Sequence, residues 1–170
     1  FDRRPGGMPR PAADLETIPH ALGVRPAGVD IPPGRRSKFE PLIVKLTPNT
    51  ADVAAVAEAA AGHGADAVSL INTLRAMPMQ GDPPQPWLGA RTGGLSGAAV
   101  RQVALAQIAA VAARVDVPVV GMGGVETAEH ARQVLAAGAT VVAVGTASFR
   151  DPAAGSRIAR ELTRSAQIAG

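Results

Sequence analysis

From residue 41 onward the chain alternates between short apolar runs and longer segments of helical character. The apolar runs are rich in Val, Ile and Leu and are too short for helices, which predicts buried parallel strands. The predicted strands cover residues 42–47, 66–71, 117–122 and 140–144. Helices are predicted over residues 51–61, 98–114, 126–137 and 151–166. This order predicts four consecutive βα units in an α/β fold.

Local signals mark the ends of the predicted helices. Thr50 is predicted to cap the first helix, and Gly62 and Gly64 are predicted to close it. Asp151, followed by a proline, marks the start of the last helix. We expect His63 to be a surface residue near a helix C-terminus and His130 to be a solvated residue in the middle of a helix.

Residues 73–97 interrupt the βα repeat. This segment is rich in Pro and Gly and shows no helical pattern, and long loops of this kind are usually functional or disordered. It ends in Thr-Gly-Gly-Leu-Ser-Gly at residues 92–97, which is too rich in glycine to pack well and suits close approach of the backbone to a ligand. Ser96 could offer a hydroxyl to that ligand, but we favour a role as the cap of the next helix.

Residues 1–40 differ in composition from the rest of the chain. They hold seven prolines and six arginines and lack sustained periodicity. We interpret them as an irregular or disordered leader, and residues 41–170 as the folded domain. A second interpretation is that the leader stands in place of a lost N-terminal half.

Composition removes several classes of function. The chain has no cysteine, which excludes disulfides, a thiolate nucleophile and cysteine-ligated metals. Its 17 Lys and Arg nearly balance 14 Asp and Glu, and aromatic residues make up only 2%, so we expect no nucleic-acid partner. No apolar run reaches membrane-spanning length, and we expect a cytoplasmic protein without a membrane anchor.

A Gly-Gly pair and a Gly-Thr pair follow the last two predicted strands. Gly123 and Gly124 end one strand, and Gly145 and Thr146 end the next. Backbone N–H groups at such positions bind a phosphate in many eight-stranded βα barrels. Both pairs could also be tight turns alone. The four units could form a small open sheet or part of a barrel, and their spacing favours the barrel.

Five motifs occur in an order and spacing that resemble a known family. They are Ile-Val-Lys-Leu-Thr-Pro-Asn at 43–49, Ser-Leu-Ile-Asn-Thr at 69–73, Thr-Gly-Gly-Leu-Ser-Gly at 92–97, Val-Gly-Met-Gly-Gly-Val at 120–125 and Ala-Val-Gly-Thr-Ala at 143–147. Together they resemble the C-terminal half of class 1 dihydroorotate dehydrogenase, most nearly the NAD-linked 1B subtype. The match covers residues 41–155. It implies about four βα units of a TIM (β/α)8 barrel.

The resemblance implies an FMN-dependent oxidoreductase that converts dihydroorotate to orotate in pyrimidine biosynthesis. It places Lys45 at the N1/O2 side of the flavin, where a cation stabilises the negative charge that builds when hydride reaches N5. Ile71 packs by the flavin, and Asn72 and Thr73 bind the orotate ring, since an amide offers both a donor and an acceptor. The residues implied at the ribityl phosphate are Gly97, Gly123, Gly124, Gly145 and Thr146.

The 1B resemblance also implies a partner subunit that carries FAD and an iron–sulfur cluster. In the other class 1 subtype, fumarate would accept the electrons instead. Half a barrel would expose strand edges, so we also expect a homo-oligomer. The family's class 1 base is a cysteine, which this chain lacks, and no segment resembles the class 2 serine loop. We assign no catalytic base and expect a truncated form of the enzyme.

Other interpretations remain open at this point. The broad pattern also fits dihydropyrimidine dehydrogenase or dihydrouridine synthase, although the first would bring iron–sulfur cysteines that are absent here. A non-catalytic half-barrel that binds a phosphate or flavin ligand is an alternative of another class. The third is a fragment without a stable fold.

Overall fold

The computed structural model describes residues 41–168. Its eight strands are β1 (Ile43–Lys45), β2 (Ala67–Leu70), β3 (Leu74–Ala76), β4 (Met79–Gln80), β5 (Gln85–Pro86), β6 (Gly93–Leu95), β7 (Val119–Met122) and β8 (Val141–Ala143). Its α-helices are α1 (Val53–Gly62), α2 (Arg101–Ala112), α3 (Ala128–Ala136), α4 (Ala147–Arg150) and α5 (Ala154–Ile168), and a 3-10 turn at Ala98–Val100 leads into α2.

The four Val- and Ile-rich runs form one parallel sheet in the order β1-β2-β7-β8. Lys45 pairs with Ser69, Ser69 with Val120, and Val120 with Val141, so these four side chains share one face of the sheet. The predicted α/β fold with four βα units is therefore confirmed. The observed strands are shorter than the predicted ones by two or three residues.

Helices cover the opposite face of this sheet. A Cβ on Gly121 would lie 2.5 Å from Val134 Cγ1, 2.8 Å from Ala139 Cβ and 3.0 Å from Ile108 Cδ1, so only glycine lets α2 and α3 approach β7 this closely. Val68 and Leu70 are completely buried between sheet and helices. The face that carries Lys45 is less covered: Ile43 is 43% exposed, and Val120 and Val141 are only half-buried.

The predicted insertion forms two small antiparallel sheets. β3 pairs with β6, and β4 pairs with β5. No helix occurs between β3 and β6, as the composition predicted, but the hairpin pairing itself was not anticipated. Met77, Met79 and Trp87 are 47%, 50% and 64% exposed on this insertion.

Two predictions about helix ends are correct and one is wrong. His63 is exposed at the C-terminal end of α1, and Asp151 caps the turn before α5 by accepting from the Ala153 N–H at 3.0 Å. The N-cap of α1, however, is Asp52 and not Thr50. The Asp52 carboxylate accepts from the Ala55 N–H at 2.9 Å, and a carboxylate at the positive end of a helix adds a charge interaction that a threonine hydroxyl lacks.

The expectation for His130 is also wrong. Because α3 begins at Ala128, His130 lies in its first turn, and its side chain is half-buried. The ring Nδ1 lies 3.3 Å from both the Glu126 N–H nitrogen and Arg101 Nη1.

The predicted leader, residues 1–40, lies outside the described residues. Within residues 41–168, no helix has the length and apolar character needed to cross a membrane.

Replacing Asp52 with alanine should lower the stability of the protein in a pH-dependent way. The pKa of Asp52 is lowered chiefly by the hydrogen bond from the Ala55 N–H, and Arg114 adds to this. A lowered folded-state pKa stabilises the fold above the unfolded value of 3.8, and this stabilisation is lost as the pH falls through the folded-state pKa. We expect Asp52→Ala to lower Tm by a few degrees at neutral pH and by less at pH about 3.

The matched control is Asp52→Asn, which keeps an N-cap acceptor and loses the titratable group. Thermal unfolding followed by circular dichroism at both pH values measures the difference. An equal loss of Tm at neutral and acidic pH in Asp52→Ala would show that the ionised carboxylate contributes nothing.

Candidate functional site

A pocket of about 130 Å³ lies at the carboxyl ends of the four parallel strands. This is where α/β proteins usually place a ligand, because loops from several strands converge there. Every site residue that the sequence indicated lines this pocket. They are Lys45, Ile71, Asn72, Thr73, Gly97, Gly123, Gly124, Gly145 and Thr146. Their convergence is a geometric fact, and their individual ligand roles stay predictions.

One end of the pocket carries a cation, and an apolar side chain also lines the pocket. Lys45 is the last residue of β1, its side chain is exposed, and no ion pair among residues 41–168 involves it. Ile71 is 4% exposed, and its N–H donates to the Met122 carbonyl at 3.0 Å. A pocket lined by an exposed ammonium and by apolar side chains suits a ligand that is aromatic and gains negative charge.

Asn72 and Thr73 are held by a residue that the sequence reasoning did not single out. The Asn72 Oδ1 accepts from the Thr73 N–H at 2.9 Å. Asn49 donates from Nδ2 to the Thr73 carbonyl at 2.9 Å and accepts at Oδ1 from the Arg75 N–H at 2.8 Å. Asn49 therefore fixes the backbone that follows Asn72. The available signal was its position in a turn directly after β1.

The other end of the pocket is formed by backbone. Gly123 and Gly124 have φ of 131° and 71°, which side-chain-bearing residues rarely adopt. A Cβ on Gly124 would lie 2.8 Å from both Arg101 Cβ and the Gly97 carbonyl oxygen. A Cβ on Gly145 would meet no atom within 4 Å. Gly124 is therefore packed tightly against Arg101 and Gly97, whereas the space beside Gly145 is open.

The backbone N–H groups at this end have unused capacity. No hydrogen bond among residues 41–168 uses the N–H of Gly124, Val125 or Gly145. All three residues line the pocket. Backbone N–H groups that border a pocket and make no other hydrogen bond are suitable donors to an oxyanion, which makes a phosphate a candidate ligand.

The interpretation of Ser96 as a helix cap is wrong. The 3-10 turn at Ala98–Val100 has Gly97 at its N-cap and no side-chain capping bond. The Ser96 hydroxyl instead accepts a hydrogen bond from the Thr146 hydroxyl at 3.0 Å. A hydroxyl contact between residues 50 positions apart depends on the tertiary fold, and no local pattern predicts it. Both hydroxyl-bearing residues line the pocket.

Six other lining residues received no site role from the sequence, and Met122 and Glu126 are two of them. Met122 is the last residue of β7, and Glu126 pairs with Arg150 at 3.2 Å. Met122 lies within the motif at residues 120–125, and Glu126 follows it directly, so both stand beside the glycine pair in the sequence. The described residues contain no cluster of His, Cys, Asp and Glu that could hold a metal ion.

Comparison with known proteins gives consistent names. The family model described as "Dihydroorotate dehydrogenase" matches residues 33–165. The chain is 48% identical over 128 residues to a protein of Citrifermentans bemidjiense, which covers 75% of this chain and 42% of that protein. It is 48% identical over 130 residues to a protein of Geobacter sulfurreducens, with 76% and 43% covered. It is 46% identical over 138 residues to a protein of Pelobacter propionicus, which covers 81% of this chain and 45% of that protein.

Each of these relatives is named "Dihydroorotate dehydrogenase B (NAD(+)), catalytic subunit". The chain spans less than half the length of these curated relatives. The resemblance drawn from the five motifs is confirmed, including its subtype. Since the family model covers most of the chain and all five motifs, the chain belongs to the dihydroorotate dehydrogenase family.

Proposed function

We propose that this chain serves in the FMN-dependent oxidation of dihydroorotate to orotate. The observation that carries the proposal is that one pocket gathers all nine predicted site residues, eight from the ends of the four parallel strands and Gly97 from the end of the insertion. Family membership and the relatives' names support it.

In this proposal the two ends of an FMN molecule would meet different parts of the pocket. Gly123, Gly124 and Gly145 would hold the phosphate through backbone N–H groups, with Gly97 and Thr146 beside them. Ile71 would pack against the ring system. FMN supplies the redox chemistry when bound, by accepting two electrons as hydride from the substrate.

The side chains at the substrate end would have separate tasks. Lys45 would place its ammonium at the flavin's N1/O2 side, where it favours the electron-rich form of the ring. Asn72 and Thr73 would hydrogen-bond the pyrimidine dione. The Asn72 Oδ1 accepts a hydrogen bond from the Thr73 N–H, and Nδ2 takes no part in that bond. The Nδ2 group would therefore be the donor to the ligand. No residue of the chain is assigned as the base, and the family's cysteine is absent.

The sheet geometry supports a place in a TIM (β/α)8 barrel. β1 and β8 each have a single sheet neighbour among the described residues, and the face that carries Lys45 is only partly covered. In a barrel, that face becomes the interior, and further strands pair with both edges. Those strands would come from elsewhere in a longer protein or from another copy, which is the basis for proposing a homo-oligomer.

An electron-transfer partner belongs to the same proposal. The relatives are named catalytic subunits, which supports a second subunit carrying FAD and an iron–sulfur cluster, as the 1B resemblance implies. The cytoplasmic location stays a prediction.

Anaerobic reduction of bound flavin tests the activity. The purified chain is loaded with FMN and mixed with dihydroorotate, and the visible flavin absorbance is followed. We expect slow bleaching, about 10²- to 10⁴-fold slower than in a relative that has its own base, since a general base contributes a factor of that size.

Dithionite provides the control, because it reduces any bound flavin. If dithionite bleaches the flavin and dihydroorotate does not, the chain does not oxidise this substrate. That result would favour the non-catalytic flavin-binding half-barrel.

A further inference from the structure

Arg101 lies directly behind the phosphate end of the pocket. It is the first residue of α2, its side chain is half-buried, and it does not line the pocket itself. Its Nη1 donates to the Gly124 carbonyl at 3.3 Å and lies 3.3 Å from His130 Nδ1. Arg101 therefore links the glycine loop to the first turn of α3.

His130 completes this link. Its Nδ1 accepts from the Glu126 N–H at 3.3 Å as well as from Arg101. Because two donors face Nδ1, the ring proton must lie on Nε2. The His130 backbone N–H donates to the Thr127 hydroxyl at 3.2 Å, which anchors the residue to the helix start.

These contacts decide the orientation of the loop's peptide groups. In a trans peptide the carbonyl and the following N–H point in opposite directions. Since Arg101 holds the Gly124 carbonyl, the Val125 N–H points away from Arg101. Val125 lines the pocket, and no hydrogen bond among residues 41–168 uses its N–H. The Glu126 N–H, by contrast, is already bonded to His130.

Burying Arg101 has an energetic cost that better packing alone would not offset. Its Nε is buried and has no hydrogen-bond partner in the described part of the chain. Burying an unsatisfied donor is unfavourable, so a side chain present only to fill space would be better apolar. The contacts made by Nη1 give a reason for a cation at this position.

We propose that Arg101 and His130 are positioning residues that hold residues 123–126 in the conformation that binds a phosphomonoester. The inference rests on the proposed function, since the phosphate is that of FMN. Arg101 and His130 would therefore affect the binding of the FMN phosphate and would not affect the binding of the flavin ring.

Paired affinities for FMN and riboflavin test this selectivity, because the two ligands differ only in the phosphate. We expect Arg101→Met to weaken FMN binding by about 10- to 100-fold, the size expected for losing a charge-assisted hydrogen bond, and to leave riboflavin binding unchanged. Arg101→Lys should restore most of the FMN affinity, because a single nitrogen makes both contacts and an ammonium can replace it.

His130 offers a matched pair of variants. His130→Asn keeps an acceptor near the position of Nδ1 and should retain FMN affinity, whereas His130→Leu should lose it. Amide hydrogen exchange in the ligand-free chain provides a readout that needs no flavin. The Glu126 amide should exchange faster in His130→Leu and Arg101→Met than in the wild-type chain.

Each outcome separates the claims. If the wild-type chain binds FMN and Arg101→Met loses affinity for both ligands equally, the positioning role is wrong and the proposed function stands. The positioning role is also wrong if Arg101→Lys binds FMN as poorly as Arg101→Met. If the wild-type chain binds FMN no better than riboflavin, the phosphate site and this inference both fail.

Discussion

Gly145→Val should lower the affinity for FMN by about 100-fold or more while leaving Tm nearly unchanged. A Cβ at this position meets no protein atom within 4 Å, and Gly145 is not among the glycines with positive φ. The Cβ of the added side chain therefore meets no protein atom, and because Gly145 lines the pocket, the side chain would take up space that the proposal gives to the phosphate. Losing two or more hydrogen bonds to a charged ligand gives an effect of this size.

Gly155→Val provides the matched control. A Cβ on Gly155 also meets nothing within 4 Å, but this residue lies on α5 and does not line the pocket. Fluorescence titration with FMN and thermal unfolding measure both variants. If Gly145→Val binds FMN as tightly as Gly155→Val, the phosphate does not lie in front of Gly145.

Lys45→Met should slow reduction of the bound flavin by dihydroorotate by about 10²- to 10³-fold, the usual cost of removing one group that stabilises developing charge. It should also shift the midpoint potential of the bound flavin to a more negative value. Lys45 has no ion-pair partner among the described residues, so its ammonium remains available to the ligand. Methionine keeps most of the length of the side chain and removes the charge.

Lys45→Arg is the control for charge, and we expect it to retain most of the potential. Spectroelectrochemical titration gives the potential even if dihydroorotate reduces the flavin slowly. If Lys45→Met has the wild-type potential, the ammonium does not contact the flavin.

The sequence predicted those features that local patterns determine. The four parallel strands follow from short runs of β-branched residues, and the place of Gly123 and Gly124 directly after β7 follows from their position behind the third run. Because loops after parallel strands meet at one edge, residues as distant as Lys45 and Gly145 were expected to converge.

The errors arise where tertiary contacts outweigh local signals. Ser96 resembles a helix cap, but its hydroxyl meets Thr146 from a different βα unit. The residues around His130 in the sequence give no sign of a buried contact. Arg101 reaches the His130 ring only because α2 packs against α3. The hairpins in the insertion have strands of two or three residues, too short to show an alternating pattern.

Calorimetric titration of the wild-type chain with FMN and with riboflavin tests the central claim most directly. The claim is that the residues at the ends of β1, β2, β7 and β8 form one flavin site. The phosphate of the flavin would lie at Gly123, Gly124 and Gly145. It predicts a single FMN per chain, bound at least about tenfold more tightly than riboflavin because the phosphate adds charge-assisted hydrogen bonds. No FMN binding, or equal binding of the two ligands, would contradict it.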